Sequence, residues 1–417
     1  MKVLARYKKT FFVLLIPFIV SSCAFIKLQE DLDKLATSGT IHGKIINHSQ
    51  KKSRMIIIVY NNKKELIKYK FLQKQSDYFA FILPAGERYH IALFTDLNNN
   101  LKLDKGEPSA YWANPEKKVL APRGNILANL IINSRSKIPS AYNLDIRKTD
   151  KKAGDKTIIR TGDIADLDNI IFSPEYGEKG LWTPLSSLEK NGLGVYFMEK
   201  YDPKKIPILF IYGIGGYPQS WKSFFKEIDR TRYQPWFYYY PSGFRIGKAG
   251  NALTTIMNEL HLKYKFKSMF ILAHSMGGLV AYDFIQKSIA EKRGDYIKLF
   301  ISISTPWKGD KDAEWAKHAP AVIPCWKDLM PGSPFIKNVS PDGISKNIPY
   351  YLLFSFHGDR KPFRVNNDNI VYITSELRFD MQKRAEKIFG FDLTHTEILK
   401  DKNVIDTCNA IFAKHTK

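Results

Sequence analysis

The chain holds little of several things. Only three of its 417 residues are cysteine: Cys23, Cys325 and Cys408. Cys325 and Cys408, the two in the body of the chain, could pair in an oxidising compartment or stay as buried thiols, and the sequence leaves both open. No apolar stretch approaches the roughly 20 residues that a mature membrane-spanning helix needs. There is no helix-turn-helix, zinc-finger or RNA-binding signature, which argues against a nucleic-acid partner despite the basic balance. Acid is the scarcer charge: 41 Asp and Glu stand against 64 Lys and Arg, for a formal net charge of +23. The lysines are scattered, not blocked. They describe a basic surface suited to an anionic membrane or an acidic partner, and a bias in composition would give the same scatter.

What is present is ordinary for a folded protein, with 44% hydrophobic and 25% charged residues. The length predicts two domains or three. The N-terminus reads as a targeting signal: Lys2, Arg6, Lys8 and Lys9 precede a short apolar core, Phe11 to Val20. Val20-Ser21-Ser22-Cys23 then resembles the lipobox of bacterial lipoproteins. The resemblance implies that residues 1–22 are a signal peptide, that Cys23 is lipidated, and that a membrane is a partner through it. An uncleaved anchor with an incidental cysteine is the alternative. Cleavage before Cys23 would remove four basic residues and no acids, leaving 60 bases against 41 acids, or +19. Ala24, where an aspartate would favour the inner membrane, points to the outer membrane, facing the periplasm or the surface. Oligomeric state is not legible.

Residues 23–38 read as a polar tether. From 39 to 145 the pattern is that of a small all-β sandwich. "RMIIIVY" (54–60), "LIKYKFL" (66–72), "YFAFILP" (78–84) and "YHIALFTD" (89–96) are β-branched and aromatic runs separated by turn residues. The last runs into "DLNNNLKLDKGE". Numbered from Asp96, oxygen-bearing side chains stand at positions 1 (Asp96), 3 (Asn98), 5 (Asn100), 9 (Asp104) and 12 (Glu107), and the Lys102 carbonyl falls at 7. That is the ligand spacing of a calcium loop. Two features oppose it: Leu101 occupies the position that prefers glycine, and a strand rather than a helix leads in. A polar hairpin loop is the plainer reading.

A polar linker covers 146–174. From 175 to 417 strands and helices alternate, which predicts a mostly parallel sheet with helices on both faces. About 305–347, rich in Trp and Pro, interrupts the alternation as an inserted cap. Within this half, "ILAHSMGGLV" places Ser275 between an apolar strand and a helix. At such a turn a serine hydroxyl is raised into the crevice at the carboxyl end of the sheet, and its neighbours must be small; Ala273 and Gly277 are. "FIYGIGG" follows the first long buried strand. It is no phosphate loop, since no Gly-Lys-Ser/Thr follows. "FIYGIGG" resembles the His-Gly-x segment of lipases, which implies that the backbone N–H groups of Ile214 and Met276 form an oxyanion hole. The base must follow Ser275 in the chain. His395, between a last short strand and a last helix, suits the role better than His318, His357 or His415. For the acid, "NNDNIV" resembles the loop in which lipases carry the aspartate that orients histidine, which implies Asp368 over Asp359.

These segments, with "YYYPSG", "ISTPWKG" and "NNDNIV", resemble the serine lipases and esterases of the α/β-hydrolase superfamily, including triacylglycerol lipases and, more distantly, GPI inositol-deacylases. Tyr212 departs from that pattern, which has histidine there. The resemblance implies an α/β-hydrolase fold, a Ser275–Asp368–His395 triad, a lipid or ester substrate, and no cofactor in the chemistry. The cap, with Trp307, Trp315, Pro320, Pro324 and Trp326, would cover an acyl-chain groove. An acyltransferase using the same triad, or a non-catalytic envelope lipoprotein on a hydrolase scaffold, are the alternatives.

Overall fold

A computed structural model describes residues 23–47, 53–72, 78–113, 119–122, 124–132, 138–142, 144–147, 154, 159–319, 321–358 and 366–416. The signal segment 1–22, Pro320 and Asp359 lie outside the described residues, as does most of the linker before 159. A helix, Cys23–Ala36, occupies the expected tether. The chain divides into two compact units, one of Glu30–Ile159 with Glu189–Gly192 and the other of Arg160–Leu188 and Leu193–Lys417 with the residues up to Gln29.

The first unit holds two four-stranded sheets. In one, β1 (Ser38–Asn47) lies antiparallel to β4 (Tyr78–Pro84) and parallel to the short β7 (Asn125–Leu127) and β8 (Leu130–Ile132). The other runs β3 (Leu66–Leu72), β2 (Arg54–Asn61), β5 (Tyr89–Asp96), β6 (Ser109–Ala113), all antiparallel. Ile41, Ile45, Phe79 and Phe81 from the first sheet share a core with Ile57, Val59, Ile91 and Leu93 from the second. The alternate residues Ile56, Ile58, Tyr60 and Phe94 pack on the other face against Tyr142 and Ile146. Both faces of β2 are therefore covered, which is why "RMIIIVY" shows no polar alternation.

The loop after β5 closes on itself. Asp96 accepts the N–H groups of Asn100 (3.0 Å) and Leu101 (3.1 Å), and Glu107 those of Leu97 (2.7 Å) and Asp104 (2.9 Å). Asn98 and Asn100 both present Nδ2, not Oδ1, to Asp104. Leu101 has φ of +62°, a left-handed conformation costly to a branched side chain, and packs into the cluster beneath β5. The Lys102 backbone bridges to Asp145. Among the described residues no group of three His, Cys, Asp or Glu is arranged to hold a metal.

The second unit starts earlier than residue 175. Its first strand is β9 (Ile159–Ile164), whose "IRTGDI" carries no apolar alternation to announce it. The sheet continues with β10 (Leu193–Phe197), β11 (Ile206–Ile211), β12 (Tyr233–Tyr239), β13 (Met269–His274), β14 (Ile297–Ile303), β15 (Tyr350–Ser355) and β16 (Lys387–Phe391). Across the sheet the order is β9-β10-β12-β11-β13-β14-β15-β16. β10 is antiparallel to β12, and the pairings from β12 through to β16 are parallel. Helices Ile246–Tyr264, Met276–Ala290 and Lys402–His415 flank it, burying stripes such as Val404, Ile405, Cys408 and Phe412.

Between β14 and β15 the chain makes the cap from short turns and helices, Lys311–His318, Pro324–Leu329, Pro334–Lys337 and Pro341–Gly343. Its tryptophans differ: Trp307 is fully buried while Trp315 is 63% exposed. Cys325 and Cys408 are free, and burial pushes both thiols up. Among the described residues no helix is long and apolar enough to cross a membrane.

Candidate active site

β13 ends at His274 and the helix begins at Met276, so Ser275 alone makes the turn. It does so with φ +55° and ψ −136°, a conformation that is costly to a non-glycine residue by about 1–3 kcal/mol. Its hydroxyl makes no capping bond to the helix it begins, which leaves Oγ available. The crowding is measurable. A Cβ on Gly277 would sit 2.5 Å from the carbonyl oxygens of Ile211 and Tyr212, and one on Gly213 would sit 2.6 Å from Ser275 Cβ. Gly213 thus brings the end of β11 against the serine side chain. Among the described residues neither the Ile214 nor the Met276 N–H finds an acceptor. Two backbone donors, one after β11 and one after β13, are thereby left without a partner.

Tyr212, in the place of the expected histidine, is buried among β-strand ends. Its hydroxyl donates to the Tyr240 carbonyl (2.6 Å) and accepts the Tyr240 N–H (2.7 Å); the Tyr240 hydroxyl in turn donates to the Tyr212 carbonyl (2.7 Å). The two rings stack at 4.8 Å. This reciprocal clamp ties β11 to β12 at the base of the Gly213–Gly216 loop. The Gly215 N–H, donating to Ser242 Oγ at 2.9 Å, fixes the far side of that loop. The substitution therefore supports the loop from behind.

His395 follows β16 and Asp368 follows β15. They meet: His395 Nδ1 lies 2.6 Å from Asp368 Oδ2, and the His395 N–H donates to the Asp368 carbonyl at 2.9 Å. Asp368 is fully buried. Burial alone would raise its pKa; the charge and hydrogen bond of His395, with bonds from Ser355 and Val371, outweigh burial and hold it at about 2. Ser355 Oγ donates to Oδ2 at 2.7 Å and the Val371 N–H to Oδ1 at 2.7 Å. His395 is brought to the serine's strand by His274. That ring is pushed down to about 3, chiefly by burial, so it is neutral and its Nε2–H donates to the His395 carbonyl at 2.8 Å. The two imidazole centres are 4.6 Å apart. The rival bases lie elsewhere. His357 pairs with Asp392 in an exposed contact and His415 with Tyr351, while His318 is exposed in the cap.

Sheet order, an elbow serine after the fifth strand of that sheet, an acid after the seventh and a histidine after the eighth decide the fold. It is the α/β-hydrolase fold. Ser275, Asp368, His395, Ile214 and Met276 all lie at one rim of this hydrolase sheet. Cys23 and the residues of the 96–107 loop belong to other parts of the chain. Two further residues join the site: His274, which the sequence shows as the residue before the serine, and Ser355, which no sequence signal marks.

Comparison with known proteins bears on the same region. The family model for lecithin:cholesterol acyltransferase matches residues 251–326, which contain the Ser275 turn. No curated protein matches the chain. Among solved structures, it is similar to a gene product of Listeria innocua (18% identity, 51% of this chain and 96% of that one, TM-score 0.39). It is also similar to the mature form of a Bacillus licheniformis lipase (16%, 52% and 95%, TM-score 0.40). A third is lipase B of Aspergillus fumigatus (13%, 53% and 56%, TM-score 0.41).

Proposed function

We propose that the chain is a membrane-anchored serine hydrolase that cleaves carboxylic esters, with lipid-like acyl esters as the substrate class. The hydrogen bond between buried Asp368 and His395, on the rim that carries the strained Ser275, is the observation that carries this reading. Ser275 Oγ attacks the ester carbonyl as His395 Nε2 takes its proton. The carbonyl electrons move to an oxyanion held by the Ile214 and Met276 N–H groups. Collapse breaks the bond to the alcohol, which leaves with the proton from His395, and an acyl-enzyme remains. Water then repeats the sequence and frees the acid and Ser275. Asp368 holds the tautomer with the proton on Nδ1 and stabilises the imidazolium without taking the proton. Removal of activity on a series of p-nitrophenyl esters by Ser275→Ala tests the reading, and a preference for long chains tests its lipid part. Total inactivity of the wild type on the series contradicts it.

The acyltransferase family match over 251–326 favours a second reading, in which an alcohol replaces water in the deacylation step. A product assay with and without an added acceptor alcohol separates the two. Anchoring through a lipid on Cys23, and a bacterial envelope location, rest on the sequence alone; mass spectrometry of the mature N-terminus tests them. Calcium in the 96–107 loop rests on oxygen spacing. A rise in melting temperature with millimolar calcium, abolished by Asp104→Ala, would support it.

A further inference from the structure

Behind the triad lies a second buried carboxyl that the mechanism does not use. Glu376, in the short helix Ile373–Glu376, is 1% exposed. Its Oε2 accepts one long backbone bond, from the Ser355 N–H at 3.3 Å. Its Oε1 is buried without a hydrogen-bond partner. Ser355 is also the residue whose hydroxyl bonds Asp368 Oδ2, and Ser304 Oγ completes the chain at 2.6 Å from Ser355 Oγ. Asp368 and Ser304 are the polar side chains that act on it most strongly, and among the described residues no Lys, Arg or His is one of these.

A carboxylate so placed would be a buried charge beside another of the same sign, with no cation and one weak donor. That arrangement is disfavoured by several kcal/mol, and the group takes a proton instead. Asp368, with donors from Ser355, Ile370 and Val371 and with His395 against it, keeps the negative charge. A protonated carboxyl has an O–H that must find an acceptor. The acceptors at hand are the Asp368 carboxylate and the Ser304 hydroxyl. We propose that Glu376 stands protonated at neutral pH and is a positioning residue for the triad, its O–H directed into the Asp368–Ser355–Ser304 cluster to fix the acid and restrain its basicity. Burial, then the charge of Asp368, push its carboxyl well above the ordinary range, in keeping with this. The role rests on the triad reading above, whereas the protonation does not.

Two measurements test it. Infrared difference spectroscopy of wild type against Glu376→Gln at pH 7.5 reads the proton directly, whether or not the site hydrolyses anything. A protonated-carboxyl stretch lost in the variant is expected; no such band overturns the proposal. Ester hydrolysis then reads the role. Glu376→Gln, neutral and still a donor, is expected to keep kcat within about 3-fold and to leave the acidic limb of the pH–rate profile in place. Glu376→Leu is expected to lower kcat by about 10-fold or more with KM little changed and to raise that limb, because an unrestrained Asp368 makes His395 more basic. An acidic limb lowered by about one unit in Glu376→Gln would mean that a negative charge had been removed, and so contradicts the protonated state. A Leu variant with wild-type kcat and limb ends the positioning role. If the Leu variant does not fold, the band and the Gln profile decide alone.

Discussion

The two units treat polar groups in opposite ways. In the β-sandwich the polar atoms of the 96–107 loop are satisfied by the loop's own N–H groups, and the two sheet faces are filled with aliphatic and aromatic side chains. In the hydrolase unit, four titratable groups, His274, Asp368, Glu376 and His395, are buried near one sheet rim. Two serines there, Ser275 at φ +55° and Ser304 at φ +47°, are held in left-handed conformations. In the first unit the non-glycine residues at positive φ, Lys64, Asn99 and Leu101, all sit in turns between strands. The second has such residues at helix ends too, Lys265 and Lys292, but gathers Ser275 and Ser304 with the buried titratable groups at one rim, supported by a large core around β11, β13 and β14. Breaches clustered at the carboxyl ends of parallel strands mark a site, whereas a strained residue packed under a hairpin marks only a turn.

That contrast can be broken by substitution. Ser275→Ala is expected to lower kcat by on the order of 10⁶, read by ester hydrolysis under saturating substrate. Asp368→Asn is expected to cost about 10⁴ in kcat with little change in KM, because the amide holds the wrong tautomer of His395. In the sandwich, Ile57→Ala should do the reverse. It removes a fully buried side chain at about 2–5 kcal/mol, measured by urea unfolding, and leaves kcat untouched.

The smallest effect concerns acidity. His274 has a folded value of about 3 against an ordinary 6.5, so the unfolded chain binds the extra proton and stability from this group falls as pH drops below about 6.5. Glu376 is shifted up from an ordinary 4.5, so the folded chain keeps the extra proton and stability from it falls as pH rises above that value. Between pH 4.5 and 6.5 the two oppose each other. Unfolding midpoints against pH should therefore diverge from wild type in opposite directions for His274→Gln and Glu376→Gln. Each slope is bounded by about 1.4 kcal/mol per pH unit.

Much of the hydrolase half was legible because its chemistry has a local signature. A continuous apolar strand, a small-x-Ser-x-Gly turn and a helix specify the elbow within ten residues, and its place between a last short strand and a last helix ranks His395 above its rivals. The limits of the second unit were not legible, since the edge strand β9 has too little apolar pattern to separate "IRTGDI" from linker. Continuous apolar runs were ambiguous too: "RMIIIVY" and "ILFI" look alike, yet one lies in an antiparallel sandwich and the other in a parallel sheet. Tyr212 read as a departure because sequence shows residue type and not direction; its hydroxyl faces Tyr240. Glu376 and Ser355 left no trace, for their importance comes from a fold that brings residues 13 and 8 positions from Asp368 back against it.

The central claim is that Ser275 is a nucleophile activated by His395 and Asp368. The most direct test is labelling of the purified chain with a fluorophosphonate, with the modified residue located by peptide mass spectrometry. The account predicts one label per chain, on Ser275, lost in Ser275→Ala and slowed severely in His395→Ala. A folded chain that stays unlabelled, or takes the label on another residue, would contradict it.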